Sequence, residues 1–232
     1  LVDGLGSLGL PAGFWQPLRN AGGHIAVFRP VLRTLRRFSR RDRVDFRNHR
    51  KIVVTDGKVG FTGGINIGRE YLGLDPDMGR WRDTHVRIAG PSVLALQRAF
   101  AEDWLTATDE VIDDERYFPG QAGNDSGDCI VQIVDSGPDR PWSAMSYTYM
   151  QAIALARSRL WITSPYFVPS PAILEALIAA ALRGVDVRLL LPKRTDNLLV
   201  SLAGASFFKE LLEAGVRIFQ YEQGFVHAKT MV

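Results

Sequence analysis

Apolar positions along the chain change their spacing several times, and each change predicts an element. After Gly90-Pro91, the residues Val93, Leu96, Phe100 and Trp104 recur every three or four positions. That is the period of a helix burying one face, with proline in its first turn. Ile130-Val131-Gln132-Ile133-Val134 is a short apolar run and reads as a strand. Beyond it the two periods alternate: Met145 to Ala156 helical, Leu160 to Thr163 a strand, Pro171 to Leu182 a helix, and Val185 to Leu191 a buried strand. Arg183-Gly184 suits a helix C-cap. Strands separated by helices of this length are expected to pair in parallel, with helices on both faces of the sheet.

From Tyr117 to Asp128 the chain is crowded with Pro, Gly, Asn, Asp and Ser and has no period. This places a linker at 119–127 between a first lobe, 1–118, and a second, 128–232. A weak internal repeat supports two halves. Asn20-Ala21-Gly22 closes a helix-like stretch before the strand-like His24 to Phe28, and Leu211 to Gly215 does the same before Val216 to Phe219. Each is followed, at unequal distance, by a His-x-Lys. The expected fold class is therefore α/β: two similar lobes with mixed or parallel sheets flanked by helices, meeting at the active site.

Composition narrows the class. With 46% hydrophobic and 23% charged residues, the 232-residue chain lies in the range of ordinary globular proteins, which argues against disorder or a disulfide-stapled miniature. Cys129 is the single cysteine, so it has no internal disulfide partner and cannot build a Cys-based zinc or iron-sulfur site alone. A reducing, cytoplasm-facing setting fits. No uninterrupted apolar stretch is long enough to span a bilayer, and Leu1 to Leu10 lacks the charged-then-apolar order of a signal peptide. Membrane contact by this stretch is then expected to be peripheral.

The net charge of +3 is unevenly spread: Arg29 to Lys51 holds ten Lys/Arg against two Asp, a local +8 that leaves −5 elsewhere. Within it Val31, Leu35 and Phe38 share one helical face while Arg33, Arg36, Arg37 and Arg40 lie elsewhere, the pattern of a basic amphipathic helix resting on anionic lipid. Such a block calls for an anionic partner.

The chemistry-bearing pattern is His49-Arg50-Lys51 with Asp56, Gly63-Gly64 and Asn66, and again His227-Ala228-Lys229. Read as strands, His49 and Lys51 share one face and Arg50 the other, and His227 pairs with Lys229 in the same way. A neutral imidazole is a competent nucleophile toward phosphorus, and its attack splits one displacement into two easier ones. A second, protonated imidazole can hand its proton to the departing alcohol. Two lysines supply charge to the non-bridging phosphate oxygens. Four such side chains can do the work of a divalent metal, so neither metal nor cofactor is expected.

This arrangement resembles the phospholipase D superfamily, whose signature is His-x-Lys, four residues, Asp, six residues, then Gly-Gly or Gly-Ser. His49, Lys51, Asp56, Gly63 and Gly64 stand at those intervals. The second copy keeps His227 and Lys229, and its aspartate would fall two residues past Val232, so a fragment of a longer chain is expected. Trp81 to His85 through Gly90-Pro91, Glu102-Asp103-Trp104, Ile162 to Pro169 and Gly224 to Val232 are similar to the bacterial cardiolipin synthases, whose membrane-spanning helices precede the catalytic body.

The resemblance implies transfer of a phosphatidyl group from phosphatidylglycerol to the hydroxyl of another phospholipid through a covalent phosphohistidine, with release of glycerol. It implies two phospholipase D-like lobes, His49 as nucleophile, His227 as acid, Lys51 and Lys229 on the phosphate, and Gly64 and Asn66 as phosphate-binding. Asp56 is expected to anchor the structure or to orient the other half's histidine. Expected partners are phospholipids and an anionic membrane surface touched by Arg29 to Lys51, without nucleic acid, at the cell membrane. Hydrolysis, phosphatidylserine synthesis and nuclease activity are alternatives in the same superfamily; a non-catalytic lipid- or nucleic-acid-binding module is one from another class. His24 and His85 read as structural. Tyr166, Phe167 and the loop Lys193 to Asp196 follow strand ends, where open α/β sheets tend to place ligands.

Overall fold

The computed structural model describes residues 1–29, 47–74, 78–119, 127, 129–137 and 142–232. In chain order its elements begin β1 (Val2–Asp3), α1 (Gln16–Asn20), β2 (Val27–Phe28), β3 (Ile52–Thr55), β4 (Val59–Gly63), a 3-10 turn (Arg69–Leu72), β5 (Trp81–Arg82), β6 (His85–Ala89) and α2 (Val93–Thr108). They continue with α3 (Ala144–Leu155), β7 (Arg159–Thr163), α4 (Pro171–Leu182), β8 (Asp186–Pro192), α5 (Leu198–Ala205), α6 (Phe208–Glu213), β9 (Arg217–Tyr221), β10 (Phe225–Val226) and β11 (Thr230–Met231). The chain forms two compact units, Leu1–Thr62 with Arg87–Pro141, and Gly63–Val86 with Trp142–Val232. Residues 63–86, which the sequence places in the first lobe, thus cluster with the second unit, and most of the 119–127 linker lies outside the described residues, as does most of the arginine-rich segment.

In the first unit β3 and β4 form an antiparallel hairpin, Ile52 opposite Thr62 and Thr55 opposite Val59. Asp56 and Gly57 turn it with φ of 53° and 65°, and the Lys58 N–H closes on Thr55 O at 3.0 Å. Two successive left-handed residues make the turn whose twist matches that of the strands, and Asp-Gly is a favoured pair for it. Ile52 and Val54 point inward onto Ile88, Val93 and Leu96. The helix expected after Gly90-Pro91 is present as α2. Ile130 to Val134 joins no sheet: Ile130 is fully exposed, and only Ile133 reaches the Val93 and Leu96 cluster. A short apolar run satisfies a strand pattern by sequence, but the strand needs a partner ladder, and no described strand supplies one.

The second unit is built on a four-stranded sheet in the order β11-β7-β8-β9, with β7, β8 and β9 parallel and β11 antiparallel at the edge. Helix α4 starts where expected, with Ser170 capping the Ile173 N–H at 3.4 Å and Pro171 in the first turn. It stops at Arg183, with Gly184 left-handed at φ 87°. Val187, Leu189 and Leu191 of β8 enter a core with Ile153, Leu177, Ala180 and Leu211. The parallel strands and the flanking helices are as expected, while the strand expected to be buried throughout is buried on one face. Strand β8 alternates buried and half-buried positions, and Trp161 and Phe219 stand on the sheet more than a third exposed. Leu189 is fully buried, so Leu189→Ala is expected to cost about 2–5 kcal/mol, read as a lower urea midpoint at unchanged m-value.

Candidate active site

The best-defined cluster of chemistry lies in the second unit, around His227. Strand β10 runs parallel to β5, Phe225 beside Trp81 and Val226 beside Arg82. The ladder continues one residue further, the His227 N–H donating to Arg82 O at 2.8 Å. Gly224, at φ 106°, makes this approach possible: any side chain there would run into the Arg80 carbonyl. The result is a histidine only 4% exposed, packed against the Trp81 ring with centroids 5.1 Å apart and flanked by Tyr166 and Phe225.

A carboxylate meets the buried imidazole. His227 Nδ1 lies 2.8 Å from Asp83 Oδ2, and the Asp83 side chain is 1% exposed. The Tyr71 hydroxyl donates to the same oxygen at 2.9 Å, and the Thr84 N–H donates to Oδ1 at 2.7 Å. A carboxylate oxygen only accepts, so a proton on Nδ1 is donated to Asp83. Lys229 Nζ lies beside the ring edge, 2.9 Å from Nε2 and 3.1 Å from Nδ1, and donates to His227 O at 2.7 Å. Asp83 sits where it does because residue 64 is glycine: a Cβ there would fall on the Asp83 carboxylate. The Gly64 N–H is already donated to Thr84 O at 2.9 Å, so what glycine supplies is room. Burial, with Asp83 next, pushes the Tyr71 hydroxyl above its ordinary value, which keeps it a donor.

Lys229 as a residue is exposed, yet its ammonium turns inward onto the imidazole. Desolvation pushes it down to about 8, against the carboxylates of Asp83 and Asp196, which favour the charged form. Below about pH 8 the group is charged and can hold phosphate; above it the charge is lost, so kcat/KM is expected to fall as pH rises through about 8. Between that value and the ordinary 10.5 the unfolded chain binds more protons, so this group makes stability rise with pH there. Lys229→Arg, always charged, is expected to move the alkaline limb above about pH 10; a limb that stays in place would belong to another group.

His49 and Lys51 belong to the first unit, in the connection just before β3 rather than in a strand. His49 is exposed, and Lys51 Nζ donates to its carbonyl at 2.7 Å. Arg50 turns the opposite way, toward Asp103 and Asp135, as alternation requires. Asp56 is exposed at the hairpin turn. His227 and Lys229 likewise lie between two short strands rather than within one. The structure thus brings Gly64, His227 and Lys229 together, with half-buried Asn66 in the same unit beside Tyr71. Asp83 and Tyr71 received no role from sequence. The signal for Asp83 was present in Trp81-Arg82-Asp83: strand alternation puts Trp81 and Asp83 on one side, and both face His227.

A family model described as "Cardiolipin synthase, PLD-like domain" matches residues 149–232. Cardiolipin synthase of Halalkalibacterium halodurans is 45% identical over 232 residues, all of this chain and 45% of the relative. Cardiolipin synthase A of Pseudomonas putida is 47% identical over the same length, 47% of its own. The chain therefore spans about half the length of the curated relatives it matches. Among solved structures, phosphatidylserine synthase of Haemophilus influenzae aligns over 80% of this chain and 51% of its own, with TM-score 0.53 and 15% identity, a likeness of fold. Residues 149–232 thus match the phospholipase D-like domain of the cardiolipin synthases, and the chain is similar to bacterial cardiolipin synthases from end to end.

Proposed function

We propose that the protein to which this chain belongs is a phosphatidyltransferase that makes cardiolipin: it moves a phosphatidyl group from phosphatidylglycerol to the hydroxyl of a second phospholipid and releases glycerol. The observation that carries the reading is the buried Asp83–His227–Lys229 cluster, an imidazole held between a carboxylate and an ammonium. In the proposed cycle His49 attacks phosphorus and forms the P–N bond while protonated His227 gives its proton to the departing glycerol oxygen. Neutral His227 then takes the proton of the incoming lipid hydroxyl, whose oxygen displaces His49. Lys51 and Lys229 balance the phosphate charge, the Asn66 amide donates to a phosphate oxygen, and Gly64 admits Asp83. Each of the two phospholipase D-like lobes contributes one His-x-Lys. No described helix is long and apolar enough to cross a membrane; the arginine-rich segment is proposed to meet anionic lipid at the cell membrane, on its cytoplasmic side.

The full-length enzyme incubated with phosphatidylglycerol vesicles in EDTA tests this. Cardiolipin and free glycerol are the expected products. Phosphatidic acid would replace the reading by hydrolysis, and cleavage of added DNA without a lipid product would replace it by a nuclease.

A further inference from the structure

We propose that Asp103 is a positioning residue for His49, holding the histidine's two chain neighbours with one carboxylate. The observation lies wholly within the first unit. Asn48 Nδ2 donates to Asp103 Oδ2 at 2.6 Å, and Arg50 Nη1 donates to Asp103 Oδ1 at 2.6 Å. Each oxygen thus takes one of the residues that bracket His49. Asp103 is 8% exposed on α2, which packs on β2 and β3. The grip is reinforced from other sides. Arg50 Nη2 donates to Asp135 Oδ1 at 2.5 Å and to Ser136 O at 3.3 Å. The Asn48 N–H donates to Asp3 Oδ2 at 3.1 Å, and Asn48 Oδ1 accepts the Arg50 N–H at 2.9 Å.

The need for such a grip follows from the backbone. Residues 47–51 lie outside any strand, so no ladder fixes their register, and the side chains of Asn48 and Arg50 take over that task. With positions 48 and 50 drawn to the interior, His49 is turned outward, and it is exposed. A buried carboxylate is costly unless its oxygens are satisfied. Removing its charge therefore loosens both neighbours together. An apolar residue at 103 could pack α2 equally well, but could not hold both residues around a reacting histidine. The inference rests on His49 being the nucleophile.

The test uses the full-length enzyme on phosphatidylglycerol vesicles, comparing Asp103→Asn with Val93→Ala, a core variant that destabilises the same unit without touching the network. Asp103→Asn is expected to lower kcat about 10–100-fold with KM changed less than about 2-fold. Val93→Ala should keep the parent kcat wherever it is folded. Carbethoxylation of His49 by diethyl pyrocarbonate, followed by peptide mass, reads its presentation without turnover and is expected to change at least about 3-fold in Asp103→Asn. If Asp103→Asn does not fold, Asn48→Ala takes its place, with a loss of about 3–10-fold expected. The proposal is overturned if the folded variant keeps the parent kcat and carbethoxylation rate, or if kcat falls in step with Tm in Val93→Ala as well. Should His49→Ala still turn over, the functional reading fails, while the carbethoxylation rates still decide whether Asp103 positions residue 49.

Discussion

His227→Ala is expected to slow product formation by about 10³- to 10⁴-fold in the full-length enzyme, the range in which a positioned general acid and base contributes. A histidine 4% exposed, with Nδ1 on a carboxylate and an ammonium beside the ring, is held in one orientation. Its aromatic setting of Trp81, Tyr166 and Phe225 excludes solvent that could replace it as proton carrier. The variant also leaves Asp83 with Tyr71 and the Thr84 N–H as partners, so some stability will be lost with activity. Single-turnover rates below the variant's melting point separate the two. A variant that is folded and turns over within tenfold of the parent would remove His227 from the reaction.

Asp83→Asn is expected to be the second largest effect, about 10²- to 10³-fold in kcat. Asparagine keeps the size of the side chain and can still accept from Tyr71 or Thr84. It cannot hold a positive charge on His227 in place, and its amide N–H favours the opposite tautomer, with the proton on Nε2. The discriminating readout is the pH profile and the kcat against KM split. A change in kcat with KM nearly constant is predicted, because Asp83 touches the imidazole rather than the lipid. A rise in KM alone would make Asp83 part of lipid binding instead.

How far these residues were readable in advance depends on how local each signal is. The α4 boundaries were legible because Ser170, Pro171 and Gly184 punctuate the chain with backbone chemistry that acts within one turn. The hairpin at Asp56-Gly57 carried an equally local sign. The His-x-Lys pairs were legible as residue types, but their placement outside strands was not, because two-residue alternation holds in any extended chain. Ile130 to Val134 misled because pairing partners lie elsewhere in the sequence. Asp83 was the least legible. It stands 144 residues from His227 and meets it only because β5 and β10 run side by side and glycines at 64 and 224 let backbone and carboxylate close in. Long-range coincidence of this kind leaves no period in the chain. Arg50 and Asp103 were in part accessible: alternation sent Arg50 away from His49, though not to which carboxylate.

Full-length enzyme mixed with phosphatidylglycerol, quenched within milliseconds into alkaline detergent where a P–N bond survives, and mapped by peptide mass should carry a phosphatidyl group on the peptide containing His49. The adduct should form equally in EDTA and be absent from His49→Ala. A parent enzyme that makes cardiolipin with no histidine adduct at any quench time, or one whose adduct persists in His49→Ala, would contradict the mechanism.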